Sequence, residues 1–272
     1  MLDEEAMTTL AVAFRIGRLP ALEKLLLTQN KLGGRGLNAL ALAIGDGACE
    51  KLQRLELSAN DISSEGVQAF AQALHAREGK PTPMPALAHL NFGDNNLGDA
   101  AVEALVAAAG EGALAGLKTL VLERNAIGDG GLRALADGVS RMRLSALTTL
   151  SMSYNPVGDK GVSALASAVS CGDAACPGTH TFFAKALMGG KCKYCKASAE
   201  EHAPRRGGLP ALKELSLTYT QVDDTGLSAL ADALSAGAGL PALKTLYVDD
   251  GPSGAEHEKL QSACASRSIA LP

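Results

Sequence analysis

The fold of this chain is decided by residues 117–127, which read Leu-Lys-Thr-Leu-Val-Leu-Glu-Arg-Asn-Ala-Ile. Similar residues recur in the same order along the 272-residue chain. The copies are numbered here as repeats one to seven, the seventh being partial, and they begin at Leu22, Leu52, Leu87, Leu117, Leu147, Leu212 and Leu243. The steps between these leucines are 30, 35, 30, 30, 65 and 31 residues. Self-similarity at a nearly fixed period indicates a repeat architecture.

The two halves of each repeat predict two kinds of secondary structure. The Leu-x-Leu alternation has the period of a β-strand, so alternate side chains point inward. A glycine and an amphipathic helix follow, as in Gly131-Leu-Arg-Ala-Leu135 and Gly161-Val-Ser-Ala-Leu165. A single unit cannot bury both halves, so neighbouring units must stack into a right-handed coil. Because helices are wider than strands, we expect a curved α/β solenoid with parallel strands on its concave face.

This repeat resembles the leucine-rich repeat family, specifically the ribonuclease-inhibitor-like class with long repeats. The resemblance covers most of residues 19–255, apart from one insert. It implies a horseshoe-shaped single domain over residues 1–272 with about seven repeats. Residues 1–18 are interpreted as a terminal half-repeat or cap and residues 252–272 as the other cap, although the first segment could also be the cut end of a longer array.

Two recurring polar positions are predicted to be structural. The asparagine of each repeat should lie inside the turn, where its amide would bond buried backbone groups of adjacent coils. Thr220 takes this place in repeat six and breaks the series locally. Another polar residue comes just before each helix, and we expect N-caps, not catalytic carboxylates, at Ser64, Asp99, Asp129, Asp159 and Asp224.

Composition and charge exclude several classes of protein. The net charge is −4 and the sequence pI is about 5.8, which argues against a nucleic-acid binder. The chain opens with Asp3, Glu4 and Glu5, not with the basic start of a secretory signal. No run approaches the ~18–20 apolar residues of a membrane span. We therefore expect a cytoplasmic protein.

The sequence contains no recognisable catalytic constellation. There is no phosphate-binding Walker loop, no Gly-x-Ser-x-Gly elbow and no His-Glu-x-x-His motif. The histidines His75, His89 and His257 are isolated in sequence, and a lone histidine in a repeat is usually a surface residue. Cys49 and Cys264 are interpreted as packing residues. We therefore predict that the chain is not an enzyme.

The resemblance implies that the concave face binds partner proteins. Tyr154 and Tyr219 hold the same position in consecutive coils, so their rings should be neighbours, with Tyr247 nearby. Tyrosine is a common anchor at interfaces, although these could also be ordinary solvent-facing residues. The predicted partner-binding residues are Tyr154, Tyr219, Tyr247, Glu123, Arg124, Glu214 and Asp249.

An insert at residues 171–205 explains the long step between repeats five and six. It contains the pattern Cys171-x4-Cys176-x15-Cys192-x2-Cys195. Two cysteine pairs separated by a loop fit a structural, tetrahedral zinc site, with His180 able to replace Cys171 or Cys176. The alternatives are a redox Cys-x-x-Cys, an adventitious disulfide or an unstructured loop.

Two further properties of the insert leave its role open. His180-Thr-Phe182 and Cys192-Lys-Tyr-Cys195 look like the opening of the diacylglycerol-binding zinc domains. The downstream cysteines and histidine of that family are missing, so lipid binding is not supported. The insert is locally basic, and it could dock an acidic partner, fold onto its own body or remain a solvated loop.

Together these features predict a monomeric, non-catalytic scaffold that binds a protein partner, with no nucleic-acid or membrane partner. Two alternatives come from resemblance. One is a GTPase-activating protein of the Ran-regulating type, which is built on similar long repeats. The other is a sensor fragment of an innate-immunity receptor, which would need a nucleotide-binding domain encoded upstream.

Overall fold

The computed structural model describes residues 1–17, 19–74, 84–170, 187–188, 191–192, 208–236, 240–249 and 254–272. Over these residues, eight helices alternate with the seven strands of one parallel sheet, and two further strands pair in a second, separate sheet. This arrangement confirms the predicted α/β solenoid with parallel strands.

The strands are short and the helices are three to four turns long. The strands are β1 Lys24–Leu26, β2 Arg54–Glu56, β3 His89–Asn91, β4 Thr119–Val121, β5 Thr149–Ser151, β6 Leu187–Met188, β7 Lys191–Cys192, β8 Glu214–Ser216 and β9 Thr245–Tyr247. The helices are α1 Glu4–Gly17, α2 Gly33–Gly45, α3 Ser64–Ala73, α4 Asp99–Gly110, α5 Asp129–Ser140, α6 Asp159–Ser170, α7 Asp224–Ala236 and α8 Ala255–Ser266.

The sheet follows the order β1-β2-β3-β4-β5-β8-β9, and every neighbouring pair is parallel. The register aligns equivalent positions of successive repeats. Leu150 pairs with Leu215, so β5 and β8 are direct neighbours although the insert lies between them in sequence. The repeat register read from the leucines is therefore the register of the sheet.

The core lies between the sheet and the helices. The central leucines of β2 to β9 in the large sheet are at most 2% exposed: Leu55, Leu90, Leu120, Leu150, Leu215 and Leu246. Phe70 and Phe92 are also buried and meet edge to face, with ring centroids 5.7 Å apart. Each helix packs against the next along the array, so every repeat buries its own apolar face against its neighbours.

The asparagine series forms as predicted. Asn125 Nδ2 donates to Leu122 O of its own coil at 3.0 Å and to Phe92 O of the preceding coil at 3.1 Å. Its Oδ1 accepts from Leu97 N at 3.0 Å. In repeat six, the shorter side chain of Thr220 replaces only the bond within its own coil, donating from Oγ1 to Leu217 O at 2.8 Å. Each asparagine thus satisfies backbone groups that the turn would otherwise leave unpaired.

The N-cap prediction is wrong in its geometry. Ser64, Asp99, Asp129, Asp159 and Asp224 are the first residues of their helices, not the residues before them. From this position the side chains of Ser64, Asp99, Asp129 and Asp159 accept backbone N–H groups of the next coil; Asp129 Oδ1, for example, accepts from both Gly158 N and Gly161 N at 2.8 Å. Helix α7 is capped by Asp223, whose Oδ1 accepts from Thr225 N at 2.9 Å. The side chains of Ser64, Asp99, Asp129 and Asp159 therefore connect neighbouring repeats.

The two ends of the sheet differ in what covers them. After α8, Ala270 bridges to β9: Leu246 N donates to Ala270 O at 3.0 Å, and Ala270 N donates to Lys244 O at 2.7 Å. At the opposite end α1 packs on α2 and buries Met7 and Phe14.

Within the insert, the structure describes only the antiparallel hairpin of β6 and β7, in which Leu187 pairs with Cys192 and Met188 with Lys191. The predicted ligands Cys171, Cys176 and Cys195, together with His180, lie outside the described residues.

Candidate functional site

The concave face carries a row of residues that we call the turn ladder. Each member lies directly before the repeat asparagine, or before Thr220, and all have a left-handed backbone with φ between 52° and 57°: Gln29, Ala59, Asp94, Arg124, Tyr154 and Tyr219. This conformation costs roughly 1–2 kcal/mol for a residue with a Cβ atom. Hydrogen bonds to the next coil hold it, such as Tyr154 N to Thr218 O at 2.9 Å.

Three consecutive members of the turn ladder stack on one another. The rings of Tyr154 and Tyr219 have centroids 4.1 Å apart and an interplanar angle of 14°. The guanidinium carbon of Arg124 lies 4.1 Å from the centroid of the Tyr154 ring, which belongs to the following coil. Strands in a sheet are about 4.8 Å apart, so planar groups at one repeat position meet at stacking distance. The structure brings Tyr154 and Tyr219 together as the register predicts.

The stack is open to solvent. Tyr154 is 37% exposed and Tyr219 is 62% exposed. Tyr247 is exposed to a similar degree as Tyr154, but it lies opposite Ser216 in the sheet register and so outside the turn ladder. Within the described residues it makes no ring contact with the pair. The predicted cluster of three tyrosines is therefore a stacked pair and a separate ring.

The surroundings of Tyr154 in the stack raise the pKa of its phenol. Removal of water raises the pKa of Tyr154, and the hydrogen bond and charge of Tyr219 raise it further. The Arg124 guanidinium opposes this rise, whereas the Asp249 carboxylate adds to it. Tyr154 is therefore a neutral phenol at neutral pH.

Asp249 holds the turn that carries Tyr219. Its Oδ1 accepts from Tyr219 N at 2.8 Å, and its Oδ2 accepts from Thr220 N at 3.3 Å. In the preceding coils a backbone carbonyl accepts from the turn-ladder N–H, as Ser153 O does from Arg124 N at 2.9 Å. Asp249 therefore supports the turn where Thr220 stands in place of the asparagine.

The other predicted residues lie on the same strands and turns as the stack. Glu123 Oε2 lies 3.4 Å from Ser151 Oγ, which donates to it, and Glu214 is exposed at the start of β8. Hydroxyl groups line the floor beside the rings: Ser153 Oγ is 2.6 Å from Ser216 Oγ and accepts from Thr218 Oγ1 at 3.0 Å. The site thus combines two rings, one cation, hydroxyls and carboxylates on one strip of the concave face.

A second polar cluster lies on repeats two and three, centred on Glu56, whose side chain is 9% exposed. Arg54 Nη2 lies 2.6 Å from Glu56 Oε1, and Asn91 Nδ2 donates to Oε2 at 2.6 Å. His89 Nε2 is 2.8 Å from Glu56 Oε1, although the ring is not aligned for a hydrogen bond. Burial lowers the pKa of His89, and Arg54 adds to this while Glu56 opposes it.

His89 is therefore not isolated, and the interpretation from sequence spacing is wrong for this residue. The signal lies in the register, because Arg54 pairs with His89 and Glu56 with Asn91 across β2 and β3. Aligning the repeats shows that four polar side chains share one patch of the sheet. In the linear sequence, Arg54 and Glu56 are separated from His89 and Asn91 by more than thirty residues.

The described part of the chain contains no cluster of metal-ligating side chains. No three His, Cys, Asp or Glu side chains there are placed to hold one ion. Cys49 and Cys264 are buried, and burial raises the pKa of both thiols. Among the residues that the structure describes, no helix has the length and apolar character needed to cross a membrane.

Comparison with known proteins places the repeat in a family. A family model described as a leucine-rich repeat matches residues 48–71, 86–106, 117–136, 145–166 and 209–231. No curated protein matches the chain. Each matched stretch covers one strand and the first part of its following helix in the structure. The ribonuclease-inhibitor-like subclass is consistent with this match and stays a prediction. With five family matches on one continuous parallel sheet, the chain belongs to the leucine-rich repeat proteins.

Proposed function

We propose that this chain is a non-catalytic scaffold that binds a protein partner on its concave face, centred on the stacked rings of Tyr154 and Tyr219. Leucine-rich repeats serve in general as scaffolds for protein interaction. The observation that carries the proposal is an exposed aromatic pair, stacked at 4.1 Å, on that face. Tyrosine and arginine are enriched among residues that dominate binding energy at interfaces.

The stack is already ordered before a partner arrives. Arg124 covers one face of Tyr154, and Asp249 holds the backbone of Tyr219 at 2.8 Å. Immobilising a side chain on binding costs about 0.5–1.5 kcal/mol, so rings that are already fixed lose less free energy. Neighbouring Ser153 and Thr218 offer hydroxyls that can donate to or accept from a partner's backbone.

We also propose that the insert binds one structural zinc ion through Cys171, Cys176, Cys192 and Cys195. The support is the ligand count and spacing, with His180 as the alternative to one of the first pair. A segment of about 35 residues without a core of its own gains stability when a metal ties its ends together.

The binding proposal is tested by quantitative affinity capture with the intact chain. We expect proteins captured by the wild type to be lost with the double variant Tyr154→Ala, Tyr219→Ala. The control is Leu42→Ala on α2, which removes an apolar side chain that is 45% exposed and outside the concave face. Circular dichroism confirms that both variants fold. Equal retention of every captured protein by the double variant and the control contradicts the proposal.

A further inference from the structure

The aromatic stack is asymmetric, and one of its ring faces is open. Tyr154 lies between Arg124 on one side and Tyr219 on the other. Tyr219 has Tyr154 on one face, while its side chain is 62% exposed, against 37% for Tyr154. The second face of the Tyr219 ring looks towards the coil of β9, whose next row position, residue 250, lies outside the described residues. Among the residues that the structure describes, no ring or guanidinium stacks on this face, in keeping with the 62% exposure of the side chain.

The open face is flanked by negative charge. The Asp249 carboxylate lies at the base of the Tyr219 turn, where it accepts two backbone N–H groups. An ionised carboxylate has about four lone-pair sites, so it can accept further hydrogen bonds. A cation above the ring would meet both the π face and this carboxylate.

The charge of the surrounding surface also favours a cation. Among the described concave positions of repeats four to seven, the carboxylate at the Tyr219 turn is Asp249, and the only cation is Arg124. Lys213 and Glu214 at the start of β8, and Lys244 directly before β9, lie at the opposite ends of these strands from the turn ladder. No lysine or arginine of this described strip lies on the Tyr219 side of the stack.

The molecule itself shows which cation suits such a ring. Arg124 places its guanidinium 4.1 Å from the Tyr154 centroid, within the range of a cation–π contact. A planar guanidinium stacks on an aromatic face and can also donate two hydrogen bonds to a carboxylate, which an ammonium group does less well. The next position along the same row offers a second tyrosine ring, that of Tyr219, with the Asp249 carboxylate at its turn as an acceptor.

We propose that the open face of Tyr219 is a docking site for an arginine side chain presented by the protein partner. The bound arginine completes a column in the order Arg124, Tyr154, Tyr219 and partner arginine, and its guanidinium donates to Asp249. This inference rests on the proposed binding function and specifies the chemistry of the partner at one position.

The test uses the tyrosine ring signals of the intact chain in nuclear magnetic resonance. The four tyrosines give few signals, which Tyr-to-Phe variants assign. Titration with N-acetyl-arginine methylamide is expected to shift the Tyr219 ring signals in a saturable way. The citrulline analogue, which has a similar shape and no charge, is expected to leave them in place. Tyr247, 38% exposed and outside the stack, is the internal control.

A peptide measurement extends the test to a partner-like ligand. Fluorescein-labelled peptides of alternating glycine and arginine, or glycine and citrulline, are followed by fluorescence anisotropy. We expect Tyr219→Leu to weaken arginine-peptide binding about two- to fivefold, the range of an exposed cation–π contact. Tyr219→Phe keeps the π face and is expected to bind like the wild type.

Equal shifts of Tyr219 with arginine and citrulline, or no shift with either, overturn the arginine inference. If Tyr154→Ala, Tyr219→Ala still abolishes partner capture, the proposed binding function stands without it. Conversely, a specific arginine shift with unchanged partner capture contradicts the binding function while supporting the arginine site.

Discussion

At the scale of single residues, the turn ladder shows how a left-handed backbone conformation, although it costs free energy, places side chains of neighbouring coils side by side. Tyr154 and Tyr219 both have a left-handed backbone, with φ of 57° and 54°. The turn and the pairing of β5 with β8 impose this conformation at an equivalent place in consecutive coils. As a result two rings point the same way at strand spacing, and stacking follows from geometry.

The pKa of Tyr154 gives a direct check on this stack. Because its folded pKa is raised, the neutral phenol is favoured, and this stabilising contribution is present below the unfolded pKa of about 10. It is lost as the pH rises through the higher folded pKa. We expect the tyrosinate absorbance to show one tyrosine that ionises late, and Tyr154→Phe to remove this phase. The matched Tyr247→Phe variant should retain it; loss of the late phase in Tyr247→Phe instead would contradict the assignment.

The Glu56 cluster predicts a local dependence of stability on one carboxylate. Glu56→Ala leaves Arg54 and Asn91 without their shared acceptor, and we expect a loss of about 1–3 kcal/mol in the free energy of unfolding. Glu123→Ala is the control, since its contact with Ser151 is 3.4 Å long, and its change should stay within about 0.5 kcal/mol. Urea denaturation measures both, and equal midpoints for the two variants would refute the role of Glu56.

At the scale of elements, a side chain at the start of one helix forms hydrogen bonds with the backbone at the start of the next helix. Asp129 at the first position of α5 accepts from Gly158 N and Gly161 N of the next coil. A Cβ atom at Gly161 would lie 2.8 Å from Asp129 Oδ1 and 3.1 Å from Asp129 Cα. Glycine at this position therefore serves close approach between coils, and the acidic residue and the glycine act as one unit.

Two aspartates on α5 allow a matched comparison. Asp129→Ala removes two charge-assisted hydrogen bonds between coils, and we expect it to lower the free energy of unfolding by about 1.5–3 kcal/mol. Asp137→Ala removes an exposed ion pair with Arg141, the residue directly after α5, and its expected cost is about 0.3–0.5 kcal/mol. Thermal or urea unfolding of both variants checks the order, and a larger loss for Asp137→Ala would exclude the inter-coil role of Asp129.

At the scale of the whole molecule, the insert is an addition to a continuous solenoid. Strand β5 pairs directly with β8, so the sheet is continuous although residues 171–205 lie between α6 and β8 in the sequence. Cys49 and Cys264 are buried in the solenoid, whereas the zinc proposal predicts that the cysteines of the insert become reactive once the metal is removed. Burial raises the pKa of both thiols, so they hold little reactive thiolate.

This difference makes the zinc proposal measurable by counting thiols. In the native reduced protein we expect one zinc ion per chain and slow reaction of all cysteines with a thiol reagent. After chelation, the four insert cysteines should react while Cys49 and Cys264 remain protected until unfolding. The variant Cys192→Ser, Cys195→Ser should bind no zinc. Four reactive thiols in untreated, reduced protein without bound zinc would overturn the proposal.

Several parts of the molecule were predictable from sequence alone because they depend on local periodicity. The leucine spacing identifies the strands and their register, and the asparagine position identifies the turn. The same register predicts that Tyr154 and Tyr219 are neighbours. The helix-start aspartates were misread because sequence shows that they precede a helix, but not which coil their carboxylates face.

The sequence by itself determined the repeat, its parallel sheet and the face on which the tyrosines lie, since all three follow from residue spacing. Only the tertiary structure decided that Arg124 covers Tyr154, that Tyr219 keeps an open face and that Glu56 gathers Arg54, His89 and Asn91. These contacts join residues of different coils. They depend on side-chain rotamers and backbone turns, which the spacing of residues along one chain does not specify.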